Sequence, residues 1–391
     1  MRASAEIATH RELAVENCFI FADDLGPTKI IHVWEPSIGL RGILVVDNVA
    51  RGPSIGGLRM AEDVSIEECF RLARAMTFKN AAAGLPHGGG KAVLFGDPKM
   101  PKESKEVLIR GLAMALRNEE DYIFAPDMGT DEESMAWVRD EIGRAVALPR
   151  EVGGIPLDEI GATGWGLLNA TEVALEFCDF GLEGAQVVVQ GFGAVGKHAA
   201  CFLVDKGAVL VGAADSRGTI YNERGLNLAA LIELKDEGHS VADYAEGTRL
   251  DRDEVVGLPC DIWVPAARPD VIREDNVNRL QARLVVEGAN IPFTEGAERI
   301  LHERGVLVVP DFIANAGGVI CAAMEYRGAT ESAALESIRE KVRRNTRLVL
   351  QSAQKHGLLP RQSAVRMAEA GVRQAMEYRR YSLFSSARGY V

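Results

Sequence analysis

The 391-residue sequence has few cysteines, and the six present (Cys18, Cys69, Cys178, Cys201, Cys260 and Cys321) are scattered. No CxxC pair or metal-ligand spacing joins them, so neither a disulfide framework nor a metal site is expected. Reduced thiols suit a cytoplasmic protein. Long apolar runs are also missing. None approaches the roughly 18 residues that a membrane helix needs. The N-terminal stretch MRASAEIATHRELAVEN carries charge where a signal peptide needs an apolar core. Positive charge is in deficit, with 44 Lys and Arg against 56 Asp and Glu and a formal net charge of −12. No basic patch stands outside the C-terminal helices, so neither nucleic acid nor membrane is an expected partner.

Glycine, in contrast, is plentiful at 40 residues, and 47% of the chain is apolar. That composition suits a soluble, Gly-rich α/β enzyme, and the length allows two domains. Residues 41–50 read as a strand and turn. Ser65-Ile66-Glu67-Glu68 is a capping-box pattern that opens a helix running to about Ala83. The segment from Leu85 to Lys91, with three successive glycines, reads as a break that lets backbone approach a ligand, followed by a strand at 92–95. Turn residues gather at 150–158 and mark a boundary. A helix from Gly164 to Cys178 comes next. Between 185 and 320, apolar β-branched runs at 187–189, 209–211, 261–264, 284–286 and 306–309 alternate with helical stretches. This is the pattern of a parallel sheet covered on both faces. From about Thr330 the chain reads as two or three helices.

Gly191-Phe192-Gly193-Ala194-Val195-Gly196 directly follows the strand at 187–190 and opens the helix at 197–205. A GxGxxG match alone is weak, but here it has the strand–turn–helix context of a dinucleotide site. The first glycine makes the turn, the second admits a pyrophosphate, and the third lets helix pack on strand. The next strand ends near Asp215, 24 residues after Gly191, where a carboxylate would meet the adenosine ribose. Asp215 favours an unphosphorylated ribose and hence NAD. Ser216 and Arg217 beside it could accept a 2′-phosphate, which keeps NADP open.

Lys79 and Lys91 stand in otherwise apolar or Gly-rich surroundings. A lysine packed among small residues and near a second cation loses proton affinity on both counts, as a general base requires. Asp127, in Pro-Asp-Met-Gly-Thr, is a carboxylate on a loop after a strand-like segment.

With these residues in place, the sequence resembles the Glu/Leu/Phe/Val dehydrogenase family over nearly its whole length. The resemblance is carried by Gly56-Gly57-Leu58-Arg59, Thr77-Phe78-Lys79-Asn80, Gly88-Gly89-Gly90-Lys91, Pro126-Asp127-Met128-Gly129-Thr130 and Ala162-Thr163-Gly164. The dinucleotide fingerprint, Glu287-Gly288-Ala289-Asn290, Pro310-Asp311 and Asn315-Ala316-Gly317-Gly318-Val319 complete it. It implies an α/β fold of two domains: an N-terminal substrate-binding and catalytic domain over 1–155 and a Rossmann-type dinucleotide domain over 156–325. C-terminal helices over 326–391 would return to the first domain. It implies oxidative deamination of an L-amino acid to a 2-oxo acid and ammonium, in a homo-oligomer. Lys79 is similar to the lysine that binds the substrate α-carboxylate. Lys91 resembles the lysine that activates water, and Asp127 the aspartate that shuttles protons. Thr163, Ala266, Asn290 and Asn315 match positions on the cofactor side. Ile55, Gly56, Gly57, Val319 and Ala322 match positions on the substrate side.

Substrate choice is read from two departures. Glutamate-specific members of the family carry a lysine just before the paired glycines and a serine seven residues after the asparagine of the NAGGV motif. Here those positions are Ile55 and Ala322. Without polar partners, a buried carboxylate costs several kcal/mol, so an apolar or small side chain, as in leucine, valine or phenylalanine, is expected. Arg59 or His87 could instead supply the missing charge. The chain is mosaic: residues 184–320 look closer to glutamate dehydrogenases, and residues 51–55 closer to leucine and phenylalanine dehydrogenases. The alternatives are a glutamate dehydrogenase, a catalytically altered regulatory paralogue, and a hydroxy-acid dehydrogenase on the same dinucleotide domain. The roles of His87 and Trp165, which depart from the family pattern, stay open.

Overall fold

A computed structural model describes residues 19–378. Cys18 and the charged N-terminal stretch lie outside them. The described chain divides into two compact units: residues 19–81, 86–152 and 371–378 in the first, and 82–85 with 153–370 in the second.

The first unit is a five-stranded sheet ordered β1-β2-β4-β3-β5, formed by Lys29–Glu35 (β1), Leu40–Asn48 (β2), Ser54–Ala61 (β3), Gly88–Phe95 (β4) and Tyr122–Pro126 (β5). β2 runs antiparallel to β1 and β4, whereas β3 is parallel to β4 and β5. Helix α1 (Ile66–Ala82) covers one face, packing Cys69 and Ala73 on Ile43, Val45 and Val93. Helices α2 (Lys102–Ala115) and α3 (Glu132–Ile142) cover the other, where Leu44, Leu58, Met60, Leu94 and Phe124 meet Ile109, Leu112 and Met135. α3 starts with a full capping box between Asp131 and Ser134 and stops at Gly143 in the left-handed conformation.

The three glycines at 88–90 differ from expectation: they are not a break but the start of the central strand. The sheet and α1 leave no room for side chains there. A Cβ on Gly88 would lie 1.9 Å from Asn48 O, and one on Gly89 2.0 Å from the Thr77 backbone N. Close backbone approach is indeed their role, but the partner is the protein itself. β3 also escapes a propensity reading, because Gly56 and Gly57 interrupt its apolar pattern.

The second unit is built on a seven-stranded sheet ordered β12-β11-β10-β6-β7-β8-β9. Its strands are Gln186–Gln190 (β6), Val209–Asp215 (β7), Gly218–Tyr221 (β8), Thr248–Leu250 (β9), Ile262–Pro265 (β10), Leu284–Val286 (β11) and Leu307–Val309 (β12). β12, β11, β10, β6 and β7 are parallel, as their continuous apolar runs predict, and β8 and β9 add antiparallel pairs at the edge. Strand order reverses between β6 and β10, the switch point at which doubly wound sheets bind ligands. The helices are α4 (Ala162–Leu175), α5 (Ala194–Asp205), α6 (Leu228–Asp236), α7 (Glu295–Glu303), α8 (Asp311–Ala314) and α9 (Gly317–Tyr326). The long α10 (Glu331–His356) and α11 (Pro360–Tyr378) follow. α10 lies along α4, where Trp165 Nε1 donates to Leu335 O at 3.0 Å and Arg347 pairs with Glu176. Residues up to Ala370 therefore count with the second unit. Only 371–378 belong to the first, through Arg373–Asp24 at 2.6 Å and Arg51 Nη1 donating to Gly371 O.

Crowding at β4 predicts a sharp contrast between glycines. Gly89→Ala should lower unfolding stability by about 3 kcal/mol through overpacking. Gly181→Ala, whose new Cβ meets nothing within 4 Å, should stay within about 0.5 kcal/mol. Urea unfolding of both variants checks this, and equal stabilities would contradict the packing described.

Candidate active site

In the first unit, alternation along β3 puts Ile55, Gly57 and Arg59 on the face that α1 covers. The same alternation puts Lys91 of β4 there. Gly57 is small by necessity: a Cβ would lie 2.7 Å from Asp127 Cβ and 3.0 Å from Lys91 Nζ. Across this gap Lys91 Nζ meets Asp127 Oδ2 at 2.5 Å, and Arg59 Nε donates to the same oxygen at 3.0 Å. The other end of Arg59 is held by Glu68 at 2.5 Å. Lys91 is buried, with 5% exposure, and Cys69 Sγ donates to its carbonyl. The loop that carries Asp127 is fixed by Thr130. Its Oγ1 accepts from Asp127 N at 3.0 Å and donates to Leu58 O at 2.7 Å.

Burial opposes the negative charge of Asp127, but Lys91 and Arg59 outweigh it and hold the carboxyl well below the usual carboxylate range. Asp127 therefore rests as an anion able to accept a proton. The ion-pair partner of Lys91 is this carboxylate, and Arg59 is a cation on the same oxygen. Lys79 is half-buried in the last turn of α1, two residues past Thr77. Thr77 fixes the helix there, because its Oγ1 donates to the buried Asp47 at 2.6 Å while Arg74 Nε donates to the same carboxylate at 2.8 Å. Gly56 also lies on β3, where a Cβ would strike Gly90 O.

In the second unit the glycines form a cradle. Gly191 has φ +99°, and a Cβ on it would lie 2.8 Å from Ala266 C, so the turns after β6 and β10 press together. A Cβ on Gly196 would lie 1.9 Å from Gly191 O. Gly193 is the N-cap of α5 and supplies no side-chain cap, so the first-turn N–H groups of Ala194 and Val195 are left for a ligand. These residues fit a dinucleotide pyrophosphate.

Asp215 is already engaged. Oδ1 accepts from Arg217 N at 2.9 Å and Ser240 Oγ at 2.8 Å, and Oδ2 from Lys235 Nζ at 2.9 Å and Val241 N at 3.0 Å. To bind a ribose hydroxyl it would have to release one of these. Ser216 and Arg217 are exposed. Asn315 Nδ2 donates to Asn290 Oδ1 at 3.1 Å and Gly288 O at 3.2 Å, tying two of the expected cofactor-side residues together. Thr163 faces the start of α9, where a Cβ on Gly318 would lie 3.2 Å from its Oγ1. Val319 and the buried Ala322 follow one turn apart on α9.

Two sequence models match the chain: "Glutamate/Leucine/Phenylalanine/Valine dehydrogenase" over residues 153–380, and "Glu/Leu/Phe/Val dehydrogenase, dimerisation domain" over residues 28–144. The chain belongs to the Glu/Leu/Phe/Val dehydrogenase family. An NADP(+)-dependent glutamate dehydrogenase of Pyrobaculum calidifontis is 41% identical, the match covering 73% of this chain and 72% of that protein. An NAD-specific glutamate dehydrogenase of Staphylococcus aureus is 39% identical over 71% and 70%. A crystal structure of the hetero-hexameric glutamate dehydrogenase from Thermus thermophilus, in its Leu-bound form, superposes with a TM-score of 0.82 at 29% identity, covering 90% of each chain.

This Glu/Leu/Phe/Val dehydrogenase is thus an amino-acid dehydrogenase, an oxidoreductase that uses NAD(P). Its two unusual residues have structural partners. His87 is buried, with Nδ1 3.0 Å from Pro53 O. Trp165 ties α4 to α10 and packs edge-on against Phe202, with ring centroids 5.3 Å apart. Arg59, considered from the sequence only as a source of charge for the substrate, is instead a partner of Asp127 and Glu68. Its place two residues after Gly57 on a strand was the available signal. Burial pushes the Cys69 and Cys321 thiols up to about 12, which makes them inert packing groups.

Two outcomes are expected. Lys91→Ala and Asp127→Asn each lower kcat by on the order of 10³-fold with cofactor binding largely intact; stopped turnover with unchanged NAD(P)H titration checks this, and near-normal kcat in either contradicts it. The second concerns acid stability. Burial opposes the charge of Asp215, but Lys235 and its other donors hold the carboxyl down to about 2, below the ordinary 3.8. A depressed folded-state value means stabilisation that is present above about pH 4 and lost as pH falls toward 2. Thermal unfolding of Asp215→Asn should accordingly lose part of the wild-type pH dependence in that window.

Proposed function

We propose that this dehydrogenase oxidatively deaminates an L-amino acid with an apolar side chain, of the leucine, valine or phenylalanine kind. The observation that carries the reading is Ile55. It is 1% exposed, on the same face of β3 as Gly57, beside the Lys91–Asp127 pair. A substrate carboxylate at that wall would meet no partner from position 55. Arg59, the alternative source of charge, already has Asp127 and Glu68 as partners.

In this reading Lys79 binds the substrate α-carboxylate. Asp127, resting as an anion, takes a proton from the substrate ammonium. NAD(P), held by the Gly191–Gly196 turn, would supply the hydride acceptor for the oxidation at Cα. Water activated by Lys91 then adds to the resulting imine carbon, and Asp127 returns a proton to the departing nitrogen. The products are a 2-oxo acid, ammonium and the reduced cofactor. The Gly191–Gly196 cradle binds the pyrophosphate, with Ala266 at its wall. The family resemblance would give Thr163, Asn290 and Asn315 cofactor-side roles and Val319 and Ala322 substrate-side roles. With the four acceptor positions of Asp215 filled and Ser216, Arg217 and Lys235 beside it, both NAD and NADP are accommodated. An oligomer is supported by the dimerisation-domain match and by the hetero-hexameric assembly of the Thermus relative, and identical subunits belong to this reading.

A second reading, glutamate dehydrogenase, is favoured by the names of the 39–41% identical relatives. A catalytically silent paralogue is opposed by the presence and mutual contact of Lys91 and Asp127. Absorbance at 340 nm, followed with leucine, valine, phenylalanine and glutamate and with each cofactor, decides among them. For an apolar substrate, kcat/KM is expected to exceed that for glutamate by at least about 100-fold. Glutamate as the best substrate would overturn the proposal.

A further inference from the structure

Outside the residues assigned above, the second unit holds an unusual charge cluster. Arg361, in the first turn of α11, meets three buried carboxylates: Nη2 lies 2.6 Å from Glu287 Oε2, Nη1 2.8 Å from Asp311 Oδ1, and Nε 2.5 Å from Glu298 Oε1. The side chains of Glu287, Glu298 and Asp311 are 0%, 4% and 6% exposed. Full ionisation would leave two uncompensated negative charges in a dry site.

Burial pushes Glu287 and Glu298 up. Glu287 Oε2 is filled by Asp311 N at 2.7 Å and by Arg361. Its Oε1 is buried without a hydrogen-bond partner, so burial weighs on this carboxyl most.

The cluster leads directly to the cofactor-side loop. Glu287 opens the segment after β11, and its neighbours Gly288 and Ala289 donate backbone N–H groups to Pro265 O. Asp311 Oδ2 accepts from Ile291 N at 2.8 Å, holding a residue with φ +49°. That conformation is strained for a β-branched residue, so it persists only where neighbours enforce it. Asp311 O also accepts from Asn315 N at 2.7 Å. The loop between Glu287 and Ile291 is therefore clamped at both ends by groups that Arg361 holds, and Asn290 lies between them.

We infer that Arg361 is a positioning residue for the reaction: through Glu287 and Asp311 it fixes the 287–291 loop and thereby sets the place of Asn290 and Asn315, without touching substrate or cofactor. The inference rests on the reading of Asn290 as a nicotinamide-side residue. Arg361→Lys keeps the charge but loses the fork that spans three carboxylates.

The test is a double-mutant cycle in the full-length protein, with hydrogen exchange of the 287–291 amides as a second readout. Arg361→Lys should speed exchange of those amides in the cofactor-free protein by at least about 5-fold. It should lower kcat by about 10-fold with the amino-acid KM changed less than about 3-fold. In an Asn290→Ala background the further loss on adding Arg361→Lys should be below about 2-fold, because both act through one group. Wild-type exchange with wild-type kcat, or fully additive losses, would overturn the inference. If Arg361→Lys does not fold, Asp311→Asn takes its place in the same cycle, since it loosens the hold on Ile291 while reducing the buried charge. Faster exchange with non-additive losses again supports the inference, and wild-type exchange or additive losses again overturn it. If Asn290→Ala alone retains full kcat, the nicotinamide-side reading fails, while the exchange measurement still decides whether Arg361 holds the loop.

Discussion

The proposed chemistry of this dehydrogenase depends on one contact, the 2.5 Å approach of Lys91 Nζ to Asp127 across Gly57. Three strands have to be neighbours for it to exist: β4 brings the lysine, β5 leads into the aspartate, and β3 lies between them with a glycine where any side chain would intrude. The five-stranded sheet, with β4 and β5 both parallel to β3, supplies that arrangement. Gly89 serves the same end, since it lets α1 settle on β4 at Thr77, on the face where Lys91 is buried.

A close pair of opposite charges in a dry site is poised by its other neighbours. Arg59 is the main one. It shares the Asp127 oxygen with Lys91, so the carboxylate is stabilised as an anion from two directions, and Glu68 in turn anchors the guanidinium. Substrate arrival brings its own ammonium to a carboxylate that is already charged and immobile. In the proposed reaction folding has placed this carboxylate beforehand, so it need not reorganise when substrate arrives.

Much of this was legible in the sequence. The Rossmann-type unit was readable because its strands are unbroken apolar runs and its fingerprint has a fixed strand–turn–helix context. Lys91 and Asp127 stood out because a lysine directly after three glycines and an aspartate in a Pro-Asp-Met-Gly segment seldom occur without a reason. What escaped reading depends on contacts distant in sequence. The first residues of the strand at 88–95 look like a loop until Asn48 and Thr77 are seen crowding them. Asp215 looks like a free carboxylate until residues 235–241 fold over it. Arg361 carries no motif at all, and its meaning comes from three carboxylates 50 to 74 positions away.

The most direct test of the central contact is steady-state turnover by Gly57→Ala, in which a single methyl group is driven between Asp127 and Lys91. The expected result is a folded protein that still binds NAD(P)H and whose kcat falls by on the order of 100-fold, as a displacement of about 1 Å at reacting groups demands. A Gly57→Ala enzyme with wild-type kcat would show that the closeness of these two side chains is not what catalysis requires.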